Sequence, residues 1–111
     1  MVNWTEEEEL ALVTAIVDAK RNLQRGQTAY WGQAFQHYQQ HVGNARHNLN
    51  ACQHKWRDLK PKLDRFKRYY NRVPAAGLSH DDRVYIARVE FRHEENTDFK
   101  LVDHFNIYLT S

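Results

Sequence analysis

The chain has 111 residues, 41% hydrophobic and 13% aromatic, with one cysteine, four glycines, two prolines and a formal net charge of +2. This is enough apolar material for one core, and so many aromatics with so little Gly and Pro exclude both a disordered segment and a turn-rich all-β fold. The single Cys52 excludes an internal disulfide, and no apolar run approaches the length that crosses a bilayer.

Thr5 and Glu8 stand three apart at the start of an apolar repeat, the spacing of a capping box, and Glu6 to Glu9 fall at the positive end of a helix dipole. Leu10, Val13, Ile16 and Val17 then recur at helical spacing, and Lys20, Arg21 and Arg25 precede Gly26. A first helix over about residues 5–25 follows. The acidic opening MVNWTEEEE differs from a signal peptide, which is basic and then apolar, so an intracellular protein is expected.

Thr28 is the expected cap of a second helix, in which Trp31, Ala34, Phe35 and Tyr38 form the apolar stripe and Gly43 marks the end. Its remaining positions are mostly Gln and His, with no Lys, Arg, Asp or Glu, a pattern that predicts partial cover by neighbouring elements.

The third helix carries the clearest pattern. Leu49, Cys52, Trp56, Leu59, Leu63, Phe66 and Tyr70 alternate spacings of three and four behind the cap Asn48. Pro61 lies inside this stripe and predicts a kink in one helix, because the repeat stays in phase across it. The segment 74–79, PAAGLS, reads as a linker. Ser79 and Asp82 make a second capping box, opening a fourth helix through Val84, Ala87 and Phe91 to about His93. Residues 94–98 break it, and Phe99, Val102, Phe105, Ile107, Tyr108 and Leu109 mark a short fifth helix whose aromatics are expected to pack back on the bundle.

Charge is distributed unevenly over these elements. Residues 44–73 hold nine of the sixteen Lys and Arg against two acids, a local net of +7, whereas residues 1–27 sum to −2 and residues 74–111 to −3. An exposed helix normally balances its bases with Glu at i,i+4, so this excess points to a polyanionic partner on one side of the molecule.

Trp4, Trp31 and Trp56, with the segments NWTEEEELAL and LNACQHKWRDL, resemble the tryptophan signature of Myb/SANT domains. The sequences GQTAYWGQAFQHY and RHNLNACQHKWRDLKPKLDRFKRYY are similar to the trihelix and plant-type or transposon-associated variants, which lengthen the helix connections and the third helix. The resemblance implies an all-α fold, a three-helix helix-turn-helix core over residues 1–73 around Trp4, Trp31 and Trp56. One or two further helices over residues 74–111 would pack on it as part of a single domain. It also implies a nuclear, non-enzymatic protein that binds double-stranded DNA with its third helix in the major groove, in transcriptional regulation or transposon-derived targeting.

Transferred by position relative to Trp56, the base-reading residues are Asn50, Gln53, His54 and Arg57. Their chemistry fits: Asn and Gln pair bidentately with adenine and Arg with guanine. Arg46, Lys55, Lys60, Lys62 and Lys67 flank that face and are expected on phosphates. The alternative function is a SANT-type protein-interaction module, in which the acidic first helix or the C-terminal helices hold a histone tail, a chromatin-complex subunit or a second copy of the chain.

Other features carry plainer readings. Trp56 lies in the apolar stripe and reads as core, as does Cys52 beside it. His37 and His41 share one helix face, but a complete metal site needs further ligands, so no metal or cofactor is assigned. There is no Gly-rich phosphate loop, paired-carboxylate motif or Ser/His/Asp arrangement, and no catalytic residue or small-molecule substrate is assigned.

Overall fold

The computed structural model describes residues 3–22, 30–43 and 46–110. Among these residues the chain is all-helical, with five helices and no strand: α1 (Glu6–Asn22), α2 (Tyr30–Val42), α3 (Leu49–Arg72), α4 (His80–Glu95) and α5 (Val102–Tyr108). The expected end of the first helix at residues 23–25 and the cap Thr28 lie outside the described residues.

The helix ends follow the capping chemistry of the sequence. Thr5 Oγ1 accepts from the Glu8 amide at 3.1 Å and Glu8 Oε1 accepts from the Thr5 amide at 2.9 Å, the reciprocal pair of a capping box. Asn48 Oδ1 accepts from Ala51 at 2.8 Å to start α3. Ser79 and Asp82 close the second capping box on α4. α4 runs two residues past the expected His93, because Asn96 takes the left-handed conformation (φ 58°) and donates its amide to the Arg92 carbonyl. Gly43 (φ 68°) plays the same part after α2, where its amide bonds the Gln39 carbonyl at 3.0 Å.

α3 continues through Pro61, without a break, for 24 residues. Pro61 has no N–H, so the carbonyl of Arg57 loses its i+4 donor; both residues are exposed, and water can take that bond.

α1 packs mainly on α2 and α5, α4 packs on α3, and α5 bridges α1 and α3. Leu12, Val13, Ile16, Tyr38, Cys52, Leu59, Leu63, Phe66 and Phe105 are fully buried in one continuous cluster. Trp56 is also buried, whereas Trp4 and Trp31 are partly buried and pack against the cluster. Burial pushes the Cys52 thiol up to about 12, which leaves it protonated and inert at neutral pH.

The C-terminal aromatics are part of this core. Phe66 of α3 stacks on Phe99 at 3.9 Å between ring centroids and meets Phe91 and Phe105 edge-on. Tyr108 sets its ring edge against Trp56 and donates its hydroxyl proton to Asp64 of α3.

Candidate nucleic-acid interface

The buried stripe of α3 fixes which residues face outward. With Cys52, Trp56, Leu59, Leu63, Phe66 and Tyr70 turned inward, the opposite side presents Asn50, His54, Arg57, Pro61, Arg65, Arg68 and Arg72, all exposed. These positions repeat at three and four residues and form one straight strip along the helix. Gln53 lies beside the strip and is half-buried. The four residues expected to read bases therefore sit together at the N-terminal half of α3.

The bases expected on phosphates divide into two groups. Arg46 forms a two-pronged pair with Glu8 of α1, its Nη2 2.6 Å from Oε1 and its Nε 3.2 Å from Oε2, and also donates to the Asn3 carbonyl. Lys55 lies 2.8 Å from Glu9. Both are tied to the first turn of α1. Lys60 bonds Asp64 and Lys62 bonds Asp58, each an i,i+4 pair on the surface, where such pairs contribute little and exchange readily. Lys67 is half-buried, with its ammonium 5.8 Å from the centre of the Tyr108 ring.

Further along the strip, α4 supplies carboxylates. Arg65 pairs with Glu95 at 2.7 Å and Arg72 with Glu94 at 3.2 Å. Glu95 also accepts from the Tyr69 hydroxyl at 2.6 Å, and that bond, with Arg65, holds its carboxyl below the ordinary range. Arg57 and Arg68 have no carboxylate partner among the described residues. They are the two open guanidinium groups of the strip.

The run Glu6 to Glu9, expected as a simple dipole-favoured start, has a second role. Glu8 and Glu9 precede Leu12 and Val13 by four residues and turn inward with them. The Arg46 hydrogen bonds, aided by those from Thr5 and resisted by burial, hold the Glu8 carboxyl at about 2. His47 stacks flat on Trp4 at 3.9 Å, and its Nε2 lies 3.3 Å from Glu8, within ion-pair reach but off the line of a hydrogen bond. Glu9 sits between Lys55 of α3 and the buried His104 of α5, whose Nε2 is 2.9 Å away. Two carboxylates thus link α1 to the α2–α3 connection, to α3 and to α5.

Asp64 shows a similar balance: partial burial raises its carboxyl, but hydrogen bonds from Lys60 and Tyr108 outweigh this and leave it lowered. Among the described residues no group of three or more His, Cys, Asp or Glu side chains is placed to hold a metal. His41 lies 4.0 Å from Asp18. No described helix is long and apolar enough to cross a membrane.

No protein-family model, curated protein or solved structure matches the chain.

Proposed function

We propose that this protein binds double-stranded DNA in the nucleus through the exposed strip of α3, as a Myb/SANT-like helix-turn-helix domain acting in transcriptional regulation or transposon-derived targeting. The observation that carries the reading is the strip itself. An amide, an imidazole and an arginine capable of hydrogen-bonding base edges occupy its N-terminal half with a second amide, Gln53, beside them, and Arg65, Arg68 and Arg72 continue it. A 24-residue helix is about 36 Å long at 1.5 Å per residue. The major groove curves away from a straight rod of that length, so the N-terminal half of α3 lies along base edges and the C-terminal arginines meet the flanking phosphates.

Asn50, Gln53, His54 and Arg57 are the base readers in this account. Arg68 and, after release from their carboxylates, Lys60, Lys62, Arg65 and Arg72 are the phosphate holders. Arg46 and Lys55 act chiefly to fix α3 against α1. The alternative, a basic-tail reader built on the acidic first turn, is less well supported, because Glu8 and Glu9 are already engaged and only Glu6 and Glu7 remain exposed.

Titration of the protein against duplexes obtained by randomised selection tests the assignment. Arg57→Ala is expected to weaken the selected sequence by about 1–3 kcal/mol while barely affecting random duplex. Lys62→Ala is expected to weaken every sequence and lower the salt slope by about one. Equal losses for both variants on all sequences would remove base reading from the account.

A further inference from the structure

A second surface adjoins the strip at Arg65, where α3 meets the α4–α5 connection. There Phe91, Phe99 and Leu101 line an open groove of about 470 Å³ whose surface is predominantly apolar. Lys62 and Arg65 from α3 and Lys100 from the connection border it. Its one lining acid, Asp98, pairs with Arg92 at 3.5 Å.

Lys62 and Arg65 are engaged only in the surface pairs with Asp58 and Glu95, and Lys100 has no carboxylate partner among the described residues. The connection supplies a further feature. From Thr97 to Lys100 the backbone is neither helix nor strand, and its N–H and C=O groups make no hydrogen bond among the described residues.

An apolar hollow, a cationic border and an open stretch of main chain together fit one kind of occupant. We infer that this groove is a docking site for an extended acidic peptide segment of a partner protein, one that carries an aromatic or long aliphatic side chain among Asp and Glu. The apolar side chain fills the space beside Phe91, Phe99 and Leu101. Flanking carboxylates pair with Lys100 and Lys62, and the peptide backbone bonds the free groups of the exposed residues Thr97, Asp98 and Lys100. A lone cation contributes modestly at such a surface, so the apolar anchor sets affinity and the charges set which peptides are accepted. The groove shares Lys62 and Arg65 with the phosphate holders proposed above, whereas Lys100 and the apolar lining belong to the groove alone.

Fluorescence anisotropy with a labelled peptide of Asp, Glu, Phe and Leu tests it, beside one control with Lys in place of the acids and another with Ser in place of the apolar residues. The acidic apolar peptide is expected to bind at least about tenfold more tightly than either control. Lys100→Glu is expected to weaken it about tenfold, and Thr97→Trp, which places an indole at the exposed edge of the groove, to block it, both with unchanged thermal melts. In the unaltered protein, nuclear magnetic resonance should show the signals of Phe99, Lys100 and Leu101 shifting as peptide is added. Equal binding of all three peptides, parent-like binding by both variants, or shifts confined to other residues would overturn the inference. So would loss of duplex binding together with peptide binding in Lys100→Glu, which would make the groove part of the nucleic-acid surface.

Discussion

Glu8 caps its own helix and at the same time neutralises Arg46. The cap needs only an acceptor oxygen in this place, whereas the pairing with Arg46 needs the ionised carboxylate, whose folded pKa of about 2 lies well below the ordinary 4.5. A depressed carboxylate stabilises the fold fully above its ordinary pKa, and that contribution is lost as the pH falls toward the folded value. The parent protein is therefore expected to lose stability between about pH 4.5 and pH 2 through this group. Glu8→Gln is the informative change, because Gln still accepts the Thr5 amide in a capping box but cannot pair with Arg46 as an ion. Chemical denaturation over that range should give a flatter stability profile for Glu8→Gln. Parallel profiles for the two proteins would show that Arg46 does not hold the carboxylate.

This role could be read only in part from the sequence. The capping box of Thr5 and Glu8 is local and visible as a spacing. The inward turn of Glu8 and Glu9 also has a signal, since each precedes a buried residue, Leu12 or Val13, by one turn. What no local spacing contains is the partner: Arg46 lies 38 residues from Glu8, and His104 lies 95 residues from Glu9. Assigning Arg46 and Lys55 to phosphate rests on charge alone, and charge does not reveal which carboxylate arrives when the chain folds.

At the scale of the element, α3 is legible because its information is periodic. One apolar stripe determines the inward side, and the opposite side follows by geometry, including Arg65, Arg68 and Arg72, which continue the spacing begun by Asn50, His54 and Arg57. The carboxylates from α4 are not legible, because they depend on how two helices cross. Glu94 and Glu95 occupy Arg72 and Arg65 as a phosphate group would, so they lower the affinity of the proposed strip for any duplex. Replacing both with Gln is expected to strengthen binding to random duplex by roughly tenfold at low salt, with a smaller effect at high salt. The amide oxygen introduced by Glu95→Gln would still accept the Tyr69 hydroxyl, which limits the structural disturbance. Unchanged or weaker binding would show that these arginines do not meet the nucleic acid.

Across the whole molecule, one aromatic core joins the N-terminal and C-terminal portions. Phe66 touches Phe91, Phe99 and Phe105, three rings contributed by residues beyond the 74–79 linker. Phe66→Ala is expected to cost about 3–5 kcal/mol and to lower both portions in a single unfolding transition, measured by denaturation followed at the tryptophans and by circular dichroism. Two separated transitions would show that the C-terminal helices form a detachable unit. The five helices and the side-chain caps of α1, α3 and α4 could be anticipated from short-range pattern. The stacking of Phe99 on Phe66 could not, because Phe99, expected to open the fifth helix, lies in the connection before α5, where no periodicity fixes its direction.

The central claim is that the outward strip of α3, with Arg57 and Arg68 open, lies along a polyanionic duplex. It is tested most directly by the salt dependence of random-duplex binding for the parent protein and Arg68→Ala. The account predicts that the logarithm of affinity falls linearly with the logarithm of salt concentration, and that Arg68→Ala reduces the slope by about 0.9, the value of one lost phosphate contact. No binding at low salt, or identical slopes for the two proteins, would contradict it.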